Sequence, residues 1–313
     1  MKPKISVVAP AFNEEETIAE FYNRLKKELM ALPYEHEIIF VDDGSRDKTL
    51  EILKAKARED EKVKIISFSR NFGHPLAISA GLEHASGSAV IVMDSDLQDP
   101  PEVIKKFIAR WREGYNVVYG VRRGRKEWFG KKLAYWAFYR ILQNLSPLKM
   151  PLDSGDFSLF DRRVLEVIKK MPERNRFVRG LRTWAGFKQT GVEFERDVRF
   201  AGKTKYPFKK LLRLAADGIF SFSYLPLKIA TFFGFIIALA SFVAILAVLY
   251  LRIFAGSLPI TGFASTIIVV LFLGGIQLIT IGLLGEYVGR IYEEVKKRPL
   301  YVIEEKIGFN DDK

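Results

Sequence analysis

Two carboxylates spaced two residues apart, Asp94 and Asp96, follow the wholly apolar run Ala89–Met93 and precede Leu97-Gln98-Asp99-Pro100-Pro101. On an extended backbone residues i and i+2 share a face, so both acids would point the same way. Carboxylates are hard oxygen donors suited to Mg2+ or Mn2+ carrying a diphosphate. A solvated turn that caps a helix is the plainer alternative. An earlier pair, Asp42 and Asp43, also ends an apolar run and leads into Gly44-Ser45. Such acids accept hydrogen bonds from a nucleobase N–H or a ribose hydroxyl, or cap the next helix together with Ser45 and Asp47. Asp156 sits in the glycine-containing turn Ser154-Gly155-Asp156-Phe157. It can position an acceptor, take a proton, or bond to the local backbone.

Cations concentrate in two stretches. Arg122 to Lys149 holds eight Lys or Arg, Arg123 among them, against the one acid Glu127. Tyr135, Phe138, Leu142 and Leu145 recur there at spacings of three and four. That pattern predicts a basic amphipathic helix at headgroup level over 126–148. Arg196 to Lys228 holds eight more, including Lys209 and Lys210, against Asp197 and Asp217. Within it Arg199, Lys203 and Lys205 flank a glycine in Arg199-Phe200-Ala201-Gly202-Lys203-Thr204-Lys205-Tyr206. A loop of this kind can fold over phosphates or attach to anionic headgroups.

The elements that must position these groups fall into two kinds. Ile229 to Leu251 is a run of 23 residues without a charged side chain, and Ile253 to Gly285 is a second charge-free run. At ~1.5 Å per residue the first is ~35 Å long, enough to cross a hydrocarbon core of ~30 Å. The reading is a hairpin of helices at 229–251 and 263–285. It is preceded by a basic juxtamembrane helix, 206–228, and followed by a cytosolic tail, 286–313. The connection holds only Arg252, whereas Lys209, Lys210, Arg213 and Lys228 lie before the hairpin and Arg290, Lys296, Lys297 and Arg298 after it. The positive-inside rule then puts both termini in the cytoplasm. Met1–Val8 has no long apolar segment of the kind that directs secretion. Attachment to a bilayer makes nucleic acid the poorer account of the charge.

Residues 1–205 read as alternating buried strands and helices. Strands are expected at Ile5–Ala9, Glu37–Val41, Lys64–Phe68, Ala89–Met93 and Asn116–Val121, each rich in Val and Ile. Helices are expected at Glu14–Ala31, Lys48–Arg58, Pro75–Ala85 and Pro101–Glu113, the first opened by an Asn13/Glu16 capping box. The alternation argues for an α/β domain with a mostly parallel sheet, whose ligands bind at the carboxyl ends of strands. The acids above sit at those ends. No glycine-rich dinucleotide or P-loop signature follows the first strand.

Composition closes off other classes. Of 313 residues 49% are apolar and 27% charged, so the chain is not disordered. Without cysteine there is no disulfide frame, thiolate metal site or catalytic thiol. The three histidines are scattered, and the net charge of +12 suits an anionic membrane surface or phosphorylated substrates.

Several segments together resemble a known family. Ala9-Pro10-Ala11-Phe12-Asn13-Glu14, Val41-Asp42-Asp43-Gly44-Ser45 and Met93-Asp94-Ser95-Asp96-Leu97-Gln98 look like the family 2 glycosyltransferases of GT-A (Rossmann-like) fold. Ser69-Arg70-Asn71-Phe72-Gly73, Ser154-Gly155-Asp156-Phe157 and the Arg199–Tyr206 segment narrow the likeness to polyprenyl-phosphate glycosyltransferases. Among these the chain resembles dolichyl-phosphate mannose synthases and, more closely, bacterial undecaprenyl-phosphate glucosyltransferases. It lacks the Gln-x-x-Arg-Trp of processive polysaccharide synthases.

The resemblance implies a UDP-sugar donor, with glucose the first expectation and GDP-mannose the alternative. It also implies Mg2+ or Mn2+, a polyprenyl phosphate acceptor, inversion at the anomeric carbon, and the inner membrane of a prokaryote. A homo-oligomer, by resemblance a tetramer, is implied as well. By position Pro10, Glu14, Asp42, Asp43 and Asp94 would hold the nucleotide. Asp94, Asp96 and Gln98 would serve the metal, and Arg122 and Arg199 would bind phosphate. Arg123, Lys203, Lys205, Lys209 and Lys210 would face acceptor phosphate or membrane, and Asp156 matches the family's proposed base. Another lipid acceptor, and a non-catalytic nucleotide-binding membrane scaffold, are the competing expectations.

Overall fold

The computed structural model describes residues 3–123, 154–174, 176–195, 225–254 and 263–309. Eight strands form one mixed sheet: β1 (Lys4–Ala11), β2 (Glu35–Asp42), β3 (Val63–Phe68), β4 (Ala89–Val92), β5 (Val117–Arg123), β6 (Ser154–Asp161), β7 (Gln189–Glu195) and β8 (Ile303–Ile307). Their order is β7-β5-β6-β4-β1-β2-β3-β8. The β1/β2, β2/β3, β1/β4 and β5/β7 ladders are parallel, and the β4/β6, β5/β6 and β3/β8 ladders are antiparallel. Helices α1 (Ile18–Met30), α2 (Thr49–Glu59), α3 (His74–His84), α4 (Ile104–Arg112), α5 (Arg162–Lys170) and α6 (Val178–Trp184) accompany it. The chain first winds outward through β2 and β3, then returns to lay β4 on the other side of β1. Strand order reverses between β1 and β4, which is where open α/β sheets form their ligand crevice.

Central strands are buried on both faces, as continuous apolar runs require: β2 is buried from His36 to Asp42 and β4 throughout. Helix α1 turns Ile18, Phe21, Tyr22, Leu25 and Leu29 inward at spacings of three and four. Each such side chain removed from water contributes roughly 2 kcal/mol. The Phe21 and Phe40 rings meet edge-on at 6.1 Å.

Two expectations are corrected. The Asn13/Glu16 capping box does not form. Asn13 takes a left-handed φ of 53°, its Oδ1 accepts from Arg46 N at 2.8 Å, and α1 begins only at Ile18. The C-terminal end is no separate tail, for β8 pairs with β3. Tyr301 stacks on Phe68 at 4.9 Å and gives its hydroxyl to Glu83. Glu305 pairs with Lys54, and Arg174 Nη1 reaches Arg298 O at 2.6 Å. An otherwise open β3 edge is closed by the chain's own end.

A second compact unit among the described residues holds α7 (Leu225–Phe254) and α8 (Phe263–Val295). Leu227–Val248 and Ile268–Val295 are long and apolar enough to cross a membrane, and neither is buried in protein. Both helices run beyond the expected spans. In particular α8 continues past Gly285 through an Arg290–Glu286 pair at 2.9 Å.

Candidate active site

At the strand-order reversal the chain leaves β4 through Met93 and bends at Ser95-Asp96-Leu97, so the backbone is not extended across the two acids. Leu97 takes φ 60°. Ser95 Oγ donates to Pro10 O at 2.8 Å, tying this bend to the end of β1. Asp96 Oδ1 accepts from Gln98 N at 3.1 Å, which fixes the turn that carries both residues. Asp94 Oδ1 is shielded from solvent and has no hydrogen-bond partner. It lies 3.4 Å from His74 Nε2. Burial raises the Asp94 carboxyl above the ordinary carboxylate range. His74 opposes the rise, and Asp156 and Asp96 add to it.

Asp156 reaches the same place from β6, which runs antiparallel to β4 with Ser158 opposite Val92. Arg179 of α6 grips it with two prongs, Nε to Oδ1 at 2.8 Å and Nη2 to Oδ2 at 3.0 Å. His74 Nε2 is 3.8 Å from Asp156 Oδ2. Burial alone would raise the Asp156 carboxyl, but Arg179 and His74 hold it well below its ordinary value. For His74 burial works downward, and Asp94 and Asp156 outweigh it to push the imidazole up to about 9. Arg122, on β5, lays Nη2 3.1 Å from where a Cβ on Gly155 would stand, and its Nε is buried without a partner.

Asp42 and Asp43 are 1% and 3% exposed. Asp42 accepts from Ser45 N at 3.3 Å and Ser67 Oγ at 3.1 Å. Asp43 accepts from Asn71 Nδ2 at 2.9 Å, Phe72 N at 2.7 Å and Gly73 N at 2.9 Å. Both carboxyls are raised by burial. These acids therefore hold the loops after β2 and β3 together. Gly44, at φ 68°, lets the loops touch, since a Cβ would lie 2.5 Å from Arg70 C. Asp47, just before α2, accepts from Thr49 N at 3.0 Å, while the N-cap position itself is Lys48 and makes no side-chain cap bond. Glu14 Oε2 accepts from Thr17 Oγ1 at 3.0 Å, close after β1.

The bend thus brings together Pro10, Asp94, Asp96 and Gln98, and the crevice adds Asp156 and Arg122. Arg123 stands opposite Glu195 in the β5/β7 ladder. Arg199, Lys203, Lys205, Lys209 and Lys210, the stretch 126–148 and residues 206–224 lie outside the described residues. Sequence reasoning missed His74, Arg179 and Arg182. The i, i+3 spacing of Arg179 and Arg182 was the one available signal, since it puts them on a common helix face.

Among the described residues no three His, Asp or Glu side chains gather as a metal cage. Asp94 and Asp96 do supply two carboxylates, one with an oxygen lacking any hydrogen bond. Mg2+ needs no more than that when substrate phosphates complete its shell. The donor set fits a cation that arrives with a diphosphate.

Comparison with known proteins agrees with this architecture. A family model described as glycosyl transferase family 2 matches residues 6–169. The chain is 49% identical to the uncharacterized glycosyltransferase YkcC of Bacillus subtilis, across 98% of this chain and 95% of that one. It is 46% identical to the uncharacterized glycosyltransferase sll0501 of Synechocystis, across 98% and 97%. It is 45% identical to the SfII prophage-derived bactoprenol glucosyl transferase of Shigella flexneri, across 96% and 97%. Matched along its catalytic half by the family model and nearly end to end by these relatives, the chain belongs to glycosyl transferase family 2.

Proposed function

We propose that this chain transfers glucose, with inversion, from UDP-glucose to a membrane polyprenyl phosphate. The observation that carries the reading is the near end-to-end likeness to bactoprenol glucosyl transferases at 45% identity, membrane-length helices included. A polyprenyl phosphate keeps its apolar chain in a bilayer, so an enzyme with its own two spans stays on the surface where that substrate lies. The return of β8 supports a two-span topology with both flanks on one side. Residues before α7 and after α8 belong to the same sheet, which supports an even number of crossings between them. Lys and Arg at those flanks favour the cytoplasmic side, the inner membrane of a prokaryote.

In the mechanism, Asp94 and Asp96 face the donor diphosphate at the β1/β4 crevice. With Gln98 beside them they would hold Mg2+ or Mn2+, which when bound neutralises the departing diphosphate. Pro10 and Glu14 flank the nucleotide, and Asp42 and Asp43 keep the neighbouring loops in shape. A phosphate oxygen of the acceptor attacks C1 from the face opposite UDP. The new C1–O bond forms as the C1–O bond to the diphosphate breaks, and that electron pair leaves on UDP. Arg122, with Arg199, draws the acceptor phosphate in. Because a phosphate monoester has its second pKa near ~6, the nucleophile is already mostly dianionic at pH 7.

Thin-layer analysis of lipid products, using the full-length protein, polyprenyl phosphate and a panel of labelled nucleotide sugars, tests the reading. A glucolipid formed from UDP-glucose and cleaved by mild acid is the expected result. Label appearing only from GDP-mannose would change the donor. UDP release without any lipid product would overturn the acceptor.

A further inference from the structure

Helix α6 attaches to the strand carrying Asp156 at two successive residues. Arg179 forks onto the Asp156 carboxylate, and Arg182, one turn on, donates through Nη1 to Gly155 O at 3.3 Å. Arg182 is 1% exposed, lies 5.0 Å from the Tyr119 ring, and has Nε and Nη2 buried without partners. Burial lowers its pKa to about 10, with Asp156 pulling the other way. The other charged groups around Asp156 are His74 on α3, Asp94 after β4 and Arg122 on β5.

A carboxylate gripped on both oxygens by arginine is a poor proton acceptor, because a general base works best with a pKa near the operating pH. The acceptor brings no proton that must be removed at neutral pH. Each Asp156 oxygen keeps a second lone pair for a substrate hydroxyl. We propose that Arg179, seated by Arg182, is a positioning residue that fixes Asp156 as a permanently ionised carboxylate, so that Asp156 orients the bound sugar instead of taking a proton. The inference rests on the transferase reading above.

The test compares Arg179→Gln, Arg179→Lys, Asp156→Asn and the Arg179→Gln/Asp156→Asn double variant in the full-length protein. Transfer is followed from about pH 8 to about pH 6, and each kcat is divided by that of the parent, which cancels the titration of the acceptor itself. The Arg179→Gln ratio is expected to fall with pH, approaching tenfold per unit once Asp156 regains a proton. Arg179→Lys, which keeps the charge, should flatten that fall. Asp156→Asn should retain measurable transfer with a flat ratio. A flat ratio for Arg179→Gln, or complete loss in Asp156→Asn, would overturn the inference while leaving the transferase reading standing. Thermal unfolding supplies a readout that needs no turnover. Asp156→Asn should lower Tm in the parent but raise it in Arg179→Gln, where the buried carboxylate has lost its partner. Equal shifts in both backgrounds would refute the clamp even if the parent transferred nothing.

Discussion

Two acids at opposite ends of the parallel strands, buried Glu37 and half-buried Asp94, are treated in opposite ways. At the amino end Glu37, with its side chain 2% exposed, is fully answered. Lys4 Nζ lies 2.8 Å and Lys64 Nζ 2.9 Å from Oε2, while Ser6 Oγ at 2.5 Å and Ser86 N at 2.8 Å donate to Oε1. Burial alone would raise its pKa, yet these partners lower it to about 2. At the carboxyl end Asp94 has a shielded oxygen without a hydrogen bond and two neighbouring acids, and its pKa rises. A polar group left unanswered at the strand-order reversal, where such sheets bind ligands, is one that a ligand can complete. The contrast predicts that Glu37 governs stability and that Asp94 and Asp96 govern turnover.

The largest effect should come from the turnover end. Asp96→Ala is expected to cut kcat by roughly 10²–10³-fold or more even at saturating donor. Its Tm should move by no more than about 2 °C, because the hydrogen bond that Asp96 Oδ1 accepts from Gln98 N stays within its own turn. Steady-state transfer with and without EDTA, beside a melting curve, checks both halves. Full activity in EDTA would break the assignment of Asp94 and Asp96 to a cation.

Next in size is the stability end. Glu37→Gln keeps the shape but loses the charge that two lysines face, so unfolding should become easier by roughly 2 kcal/mol. Activity per folded molecule should be unchanged. The folded-state pKa of Glu37 is depressed, so its contribution is complete above the ordinary value of 4.5 and is lost as pH falls towards about 2. The parent and Glu37→Gln should therefore converge in stability between those limits. A difference that persists undiminished at pH 2 would mean that Glu37 acts through packing, not charge.

The same contrast explains what the sequence made legible. β1 to β5 announce themselves as apolar runs because their strands are buried on both faces or nearly so. β6 carries Ser154, Ser158 and two acids, so its pattern hides a strand in which Ser158 is buried. β8 is separated from its partner β3 by both membrane-length helices, and no local signal could place it. At the site Asp94, Asp96 and Asp156 were visible because acids at strand ends stand out. Their partners were not, since His74, Arg179 and Arg182 acquire meaning only through contacts across the sheet. The Asn13/Glu16 motif had the correct spacing, yet Asn13 was already committed to Arg46 in the β2–α2 loop.

The smallest effect sharpens the comparison most, because its sign is opposite to that of Glu37. Asp94→Asn removes a charge that its surroundings disfavour on balance: burial and two nearby carboxylates outweigh His74 and Arg122. Neutralising it should raise the stability of the nucleotide-free protein by about 1 kcal/mol while transfer collapses. Residues kept for function at a cost in stability behave in this way, and those kept for the fold do not. A melting curve of the nucleotide-free variant decides the matter. If Tm falls, the His74 contact at 3.4 Å is worth more to the fold than the unpaired oxygen costs it, and Asp94 belongs with Glu37 as a structural acid.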